Sequence, residues 1–148
     1  YDDPIEKHKG REPSLPSLVE STIQKLESLD KPFFLLIESA QIDWGSHDKD
    51  PMHMNSEMIE FDNTIKTVFD FIDNDDNTLV VITADHETGG AAITGGNLLK
   101  SKVKNNYVSG DHTATMVPVF SFGYKAQNFK GVYDNTELFD KLMTIIEK

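Results

Sequence analysis

The sequence predicts an α/β fold in which a mostly parallel sheet is flanked by helices. Short apolar runs without alternation, such as Phe33–Ile37 and Leu79–Ile82, are typical of strands that are buried on both faces. Segments whose apolar residues recur every three or four positions separate these runs, in the order helix, strand, helix, strand, strand, helix. Three strong strands make a narrow sheet, and its outer edges are expected to need a partner.

The first half of the chain begins with an extended polar lead-in formed by residues 1–13. Ser14 is a suitable N-cap for the first helix, whose apolar residues recur at helical spacing from Leu15 to Leu26. The strand Phe33–Ile37 follows this helix. A polar stretch then leads into a second helix, whose apolar stripe runs through residues 54–72.

The second half continues with the strand Leu79–Ile82, which is buried in the predicted sheet. Residues 89–111 are rich in Gly, Asn and Lys and are predicted to form a long loop. Val117–Phe122 is the third predicted strand. The last helix begins near Asp134, which forms a capping-box pattern with Glu137.

Composition excludes several classes of function. Lys and Arg number 14 against 25 Asp and Glu, so the formal net charge of −11 argues against a basic nucleic-acid-binding face and a polybasic membrane anchor. No apolar run approaches the roughly 20 residues that a membrane-spanning helix needs. The absence of Cys removes disulfides, thiolate metal sites and Cys nucleophiles.

Carboxylates and imidazoles gather near the ends of the predicted strands, where ligands bind in open α/β sheets. The set includes Glu38, Asp43, His47, Asp85, His86 and His112. Asp43 and His47 are four residues apart and would share one face of a helical turn. These residue types suit a zinc site or a mixed zinc and magnesium site.

Three segments resemble the metal-binding segments of alkaline phosphatases. They are Glu38–His47, Thr83–Gly90 and Asp111–Thr113, with Val117–Phe120 after the last, and their order, spacing and strand context match the family. The similarity runs from about Pro13 to the C-terminus. It implies an alkaline-phosphatase-like three-layer αβα sandwich.

The resemblance implies metal-binding roles for five of these residues. Asp43, His47 and His112 match the ligands of the first zinc ion, which activates the hydrolytic water and binds substrate phosphate. Asp85 and His86 match ligands of the second zinc ion, which in the family also holds the nucleophilic Ser oxygen. The cofactors implied are therefore zinc at two sites and magnesium at one.

Two further positions match the family, and two of its functional groups have no counterpart. Glu38 matches a magnesium ligand, and Trp44 matches a position that varies among Lys, His and Trp and adjusts the surroundings of the phosphate. The chain contains no Asp-Ser dipeptide for the nucleophile, and Arg11, its only Arg, lies outside any matching context. Residues 1–148 are therefore expected to be the C-terminal part of the catalytic domain, an incomplete sandwich that is inactive alone.

The implied activity is hydrolysis of phosphomonoesters through two zinc ions and a phosphoserine intermediate. The alternative is a stand-alone metal-binding or interaction module that kept the scaffold and lost catalysis. Sulfatases, phosphodiesterases and cofactor-independent phosphoglycerate mutases share the metal architecture, but Asp85–Gly90 favours alkaline phosphatase. A homodimer, or self-association through an exposed strand edge, is expected, and the resemblance implies a periplasmic or secreted location.

Three other features are predicted to have structural roles only. His8 and His53 match no motif and are predicted to be surface residues. Glu87 is expected to support the groups that bind the metal or to be structural, rather than to act as a general base. Thr88–Gly90 is predicted to be backbone that turns tightly beside the site.

Overall fold

The computed structural model describes residues 5–73 and 75–146, which form two compact units. The first unit contains Tyr1–Phe71 and Thr88–Thr113, and the second contains Ile72–Glu87 and Ala114–Lys148. Helices are combined with small two-stranded sheets, as in an incomplete α/β fold. Among the helices of the described ranges, none has the length and apolar character needed to cross a membrane.

The α-helices are α1 (Leu15–Glu27), α2 (Gln41–His47), α3 (Pro51–Ile72) and α4 (Glu137–Ile146). The strands are β1 (Leu79–Ile82), β2 (Glu87–Thr88), β3 (Ala92–Asn97), β4 (Lys102–Asn106), β5 (His112–Thr113) and β6 (Phe120–Gly123). Short 3₁₀ turns occur at Lys7–Lys9, Leu98–Lys100 and Ala126–Phe129.

Helix α1 forms as its sequence predicts. Ser14 is extended, and its hydroxyl accepts a hydrogen bond from the backbone N–H of Ser17 at 3.4 Å, which caps the first turn. Pro16 lies in that turn, where its missing N–H has no partner to lose. Val19 and Ile23, one turn apart, are the buried residues of the helix.

Helices α2 and α3 meet at a glycine. A Cβ atom added to Gly45 would lie 2.6 Å from the backbone nitrogen of Met54, so only glycine allows this approach. Asp50 precedes α3 and accepts hydrogen bonds from the N–H groups of Met52 at 2.8 Å and His53 at 3.1 Å. The two helices are thereby joined by a short and well-capped connection.

The prediction that His53 is a surface residue is wrong. Its side chain is buried between α2 and α3, with Nε2 3.0 Å from Gln41 Oε1 and 3.9 Å from Glu57 Oε1. His53 lies on the side of α3 that also carries the buried residues Glu57, Glu60 and Thr64. A polar stripe of this kind gives no hydrophobic signal, which is why the sequence did not reveal its burial.

The polar N-terminal segment is anchored to α3 by ion pairs. The Arg11 guanidinium contacts both oxygens of Glu57, at 3.0 and 2.6 Å, and also the carboxylate of Glu60. Lys7 Nζ lies 3.2 Å from Glu60, and its backbone N–H donates to Glu57 at 2.7 Å. Two buried carboxylates are therefore matched by two cations, as buried charge requires.

Two predicted elements of the first unit differ from the structure. The apolar run Phe33–Ile37 is not a strand, and Phe34 and Leu36 are exposed, because no described strand pairs with it. The predicted long loop 89–111 instead contains an antiparallel hairpin of β3 and β4. Its strands are largely exposed on both faces and lack the apolar alternation that predicts a hairpin.

In the second unit, β1 pairs with β6 in antiparallel register, from Leu79 opposite Gly123 to Ile82 opposite Phe120. This pair differs from the parallel arrangement expected of the two apolar runs. Phe129 is the buried aromatic residue of this unit.

Helix α4 begins at Glu137, three residues later than predicted. Half of the capping box forms, because the N–H of Asp134 donates to Glu137 Oε1 at 3.2 Å. The Asp134 carboxylate caps the neighbouring turn through the N–H of Thr136 at 3.0 Å.

Candidate metal centre

Helix α2 places two of the predicted ligands side by side. Asp43 and His47 are separated by one turn, and His47 Nε2 lies 3.3 Å from Asp43 Oδ2. The sequence did not predict this seven-residue helix as an element, although the four-residue spacing anticipated the shared face. Gly45, between the two ligands, lies against α3.

His112, in β5, brings a third donor to the same point of the first unit. Its Nε2 lies 3.1 Å from His47 Nε2 and 3.6 Å from Asp43 Oδ1. The two imidazole rings are 4.9 Å apart and inclined at 42°. Two residues of one helix and one residue from a distant strand therefore aim their donor atoms at a common small volume.

A backbone carbonyl orients His47. Its Nδ1 lies 2.6 Å from the oxygen of Gly110, and because a carbonyl only accepts, Nδ1 carries the proton of this hydrogen bond. This hydrogen bond raises the pKa of His47; burial opposes the shift, and the nearby charges of Asp43, Asp111 and Asp48 add to it. The neutral ring then directs the lone pair of Nε2 towards Asp43 and His112.

This donor set fits a divalent cation. Two imidazole nitrogens 3.1 Å apart, beside a carboxylate oxygen, can share a proton or can together surround one cation. One Asp and two His supply the nitrogen and oxygen ligands that zinc accepts in catalytic sites, which keep a further position open. About a third of the Asp43 and His47 side chains, and half of His112, are exposed, so solvent can reach the cluster.

Thr88 contacts the cluster, which the sequence did not predict. It is buried, and its hydroxyl donates a hydrogen bond to Asp43 Oδ1. The next residue, Gly89, has φ +84°, and Gly90 has φ +57°, so the predicted tight turn is confirmed. A Cβ atom at Gly89 would lie 3.0 Å from the Tyr107 ring and 3.1 Å from the carbonyl oxygen of Ser46.

Four other residues, Asp85, His86, Glu38 and Trp44, are also predicted site residues. Asp85 and His86 belong to the second unit, directly after β1, where Asp85 Oδ2 lies 3.2 Å from His86 Nε2. Glu38 and Trp44 belong to the first unit, and both are exposed. The metal-binding roles of these residues, as of the cluster itself, stay predictions.

A family model described as alkaline phosphatase matches residues 2–107, more than half of the chain. The chain belongs to the alkaline phosphatase family. His112 lies beyond the matched residues, so its place in the cluster rests on the distances given above.

Individual relatives carry the same description. Alkaline phosphatase 3 of Bacillus subtilis is 46% identical over 81 residues, which are 55% of this chain and 18% of that protein. Alkaline phosphatase H of Pseudomonas aeruginosa is 31% identical over 153 residues, covering 90% of this chain and 32% of its own length. The chain therefore spans less than a third of these two relatives.

Solved structures agree with these sequences. The alkaline phosphatase of the Antarctic bacterium TAB5 superposes with a TM-score of 0.88 at 34% identity, covering 97% of this chain and 43% of that one. A mutant of the same enzyme, with Mg bound in its M3 site, gives a TM-score of 0.87. The chain thus resembles a little under half of a complete alkaline phosphatase.

Proposed function

We propose that this chain is part of a metal-dependent phosphomonoester hydrolase and that Asp43, His47 and His112 hold its first zinc ion. The observation that carries the proposal is the convergence of their donor atoms within 3.6 Å of one another. Asp85 and His86 are proposed for a second zinc ion and Glu38 for magnesium. The magnesium-bound relative supports metal binding in the family.

The residues of this chain contribute charge and orientation to the reaction. A divalent cation held by them would supply charge stabilisation for phosphoryl oxygens and would make water more acidic. The Gly110 carbonyl keeps the proton of His47 on Nδ1, so that the lone pair of Nε2 is free to bind a metal ion. Asp43 supplies the negative charge that offsets part of the charge of the cation. Trp44, directly after Asp43, is proposed to adjust the surroundings of the phosphate.

The chain alone is expected to be inactive. The phosphoserine intermediate of the proposed reaction requires a Ser in an Asp-Ser context, and the sequence has none. Arg11, the only Arg, is engaged by two carboxylates of α3 and is not available to bind phosphate. This engagement also favours the second candidate function, a metal-binding module without catalysis.

The proposal extends to assembly and location. The run Phe33–Ile37 supports self-association: three of its side chains are exposed (Phe33, Phe34 and Leu36), and it pairs with no strand of the described residues. Backbone N–H and C=O groups without a strand partner tend to pair with another chain. A homodimer is the simplest such assembly, and light scattering at increasing concentration would detect it. A periplasmic or secreted location is proposed by analogy with bacterial alkaline phosphatases.

The decisive experiment measures the amount of zinc that the purified chain retains after metal loading and gel filtration. About one zinc per chain is expected from the three-ligand cluster. The variants Asp43→Ala and His112→Ala should lose it. His8→Ala is the matched control, because the His8 imidazole pairs with Glu6, at 3.3 Å, and lies outside the cluster.

Two outcomes would contradict the proposal. Absence of retained zinc in the parent chain would show that the cluster does not bind the ion. Equal zinc loss in His8→Ala would show that binding does not depend on these ligands. A phosphatase assay on the same samples separates the two functions, because the chain alone should bind metal without turnover.

A further inference from the structure

Asp43 and His47, the two cluster residues of α2, each form a hydrogen bond with another segment of the first unit. His47 is held by the carbonyl of Gly110, and Asp43 is held by the hydroxyl of Thr88. The Asp43 carboxylate therefore faces the two imidazoles while one of its oxygens accepts from Thr88.

The position of Thr88 is itself fixed by the backbone around it. Gly89 donates its N–H to the carbonyl of Asp111 at 3.0 Å, and its own carbonyl accepts from Val108 at 2.9 Å and from Ser109 at 3.0 Å. Thr88 is 8% exposed, and its branched side chain has few rotamers open to it. The hydroxyl of Thr88 is thus held beside Asp43 by a hydrogen-bonded backbone turn.

A hydroxyl suits this place chemically. As a neutral donor it binds the ionised carboxylate, which is the form that a metal ion requires. It brings no charge of its own, so Asp43 keeps its full negative charge for the cation. A group that fixes a ligand side chain in its binding orientation reduces the conformational entropy that is lost when the metal ion binds.

We infer that Thr88 is a positioning residue, whose hydroxyl holds the Asp43 carboxylate in the orientation that binds the metal ion. The inference rests on the proposed function, since it presumes that the cluster takes up zinc. It concerns Thr88 acting through Asp43 and assigns it no contact with the ion.

The test compares zinc affinity in the parent chain, Thr88→Val and Thr88→Ser, by titration against a chromophoric competitor. Valine keeps the shape of threonine and loses the hydroxyl, so Thr88→Val should bind zinc about 10- to 100-fold more weakly. Thr88→Ser keeps the hydroxyl and should stay within about threefold of the parent. Circular dichroism and a thermal melt establish that each variant is folded.

A matched control separates positioning from a general loss of stability. Thr64 is also buried, and its hydroxyl donates to the Glu60 carbonyl within α3 at 2.8 Å. Thr64→Val removes a buried hydroxyl from outside the cluster and should leave zinc affinity unchanged. If Thr88→Val is too unstable to purify, Thr88→Ala and Thr88→Ser provide the same comparison at a smaller side-chain volume.

The outcomes distinguish this inference from the proposed function. Parent-like affinity in Thr88→Val, or equal weakening in Thr88→Ser and Thr88→Val, would overturn the role of Thr88 while leaving the metal site intact. Weakening in Thr64→Val as large as in Thr88→Val would also overturn it. Absence of zinc binding by the parent chain would overturn the metal site and the positioning role together.

Discussion

His53 Nε2 lies 3.0 Å from Gln41 Oε1, in a buried hydrogen bond that joins α3 to the first residue of α2. The same nitrogen lies 3.9 Å from Glu57, which binds Arg11. A continuous set of polar contacts therefore runs from the N-terminal segment, through α3, to the helix that carries Asp43 and His47. The helix that carries these two candidate ligands is therefore supported by buried polar groups of α3.

Replacing His53 with Ala should lower the free energy of unfolding by about 2–3 kcal/mol, because a buried cavity forms and Gln41 loses its hydrogen bond to His53. Chemical denaturation, followed by circular dichroism, measures this change. Lys66→Ala, at a side chain that is 72% exposed, should change the denaturation midpoint little. Equal midpoints for His53→Ala and the parent would show that the contact between α2 and α3 does not stabilise the chain.

Arg11→Met should lower the free energy of unfolding by more, about 3–5 kcal/mol. It leaves Glu57 and Glu60 buried beside a single remaining cation, Lys7. The matched control is Lys66→Ala, which breaks the exposed pair between Lys66 and Asp70 at 2.5 Å. That loss should be about 0.5 kcal/mol or less. Similar denaturation midpoints for the two variants would contradict a stabilising role for the buried cluster.

Glu60 should make the chain less stable in acid. Burial would raise the pKa of its carboxyl, but hydrogen bonds from Arg11, Lys7 and the backbone N–H of Leu15 outweigh burial and hold the pKa below its ordinary value of 4.5. A carboxyl with a depressed pKa stabilises the folded state above the unfolded pKa. This contribution is lost as the pH falls through the depressed pKa that Glu60 has in the folded state.

The measurement is the free energy of unfolding between pH 7 and pH 3, in the parent and in Glu60→Gln. The parent should lose stability steadily as the pH falls below about 4.5, the ordinary carboxyl value. Glu60→Gln should be less stable at pH 7 but should show a shallower decline in acid, because glutamine does not titrate. Parallel curves for the two proteins would exclude Glu60 as a source of the acid sensitivity.

Zinc binding should weaken on acidification because of His47. The hydrogen bond to Gly110 raises the pKa of His47 above its ordinary value of 6.5, so the metal-free ring keeps its proton above that pH. A proton on Nε2 competes directly with a metal ion. Zinc titrations at several pH values should show affinity already falling above pH 6.5, with His47 followed by NMR. A titration midpoint for His47 at or below 6.5 would contradict this explanation.

Periodicity predicted the helices better than the strands. The sequence predicts α1 and α3 because their apolar residues recur along one face of a helix, and it predicts β1 because its apolar run is continuous. The pairing of β1 with β6, and the absence of a strand at Phe33–Ile37, depend on neighbours that local pattern does not specify. The hairpin of β3 and β4 was missed because two exposed faces leave no alternation to detect.

The candidate site was predicted in part from local spacing. Asp43 and His47 could be grouped from sequence because one helical turn brings them together. His112 follows 65 residues after His47. The predicted sheet edge grouped it with the other candidates, and the family resemblance assigned it to the same ion as Asp43 and His47. Thr88 carried no signal, since a threonine beside two glycines is an ordinary turn residue. Its contact with Asp43 appears only when distant segments are folded together.

The hydrogen bonds at Gly89 affect where insertions and deletions can accumulate during evolution. They close the base of the segment that contains β3 and β4, so that Thr88 on one side and Gly110 on the other stay in place. The turn Leu98–Lys100, at the far end, is exposed. Insertions and deletions at that turn should therefore be tolerated, which makes the hairpin a place where members of the family can diverge in length without disturbing the site below.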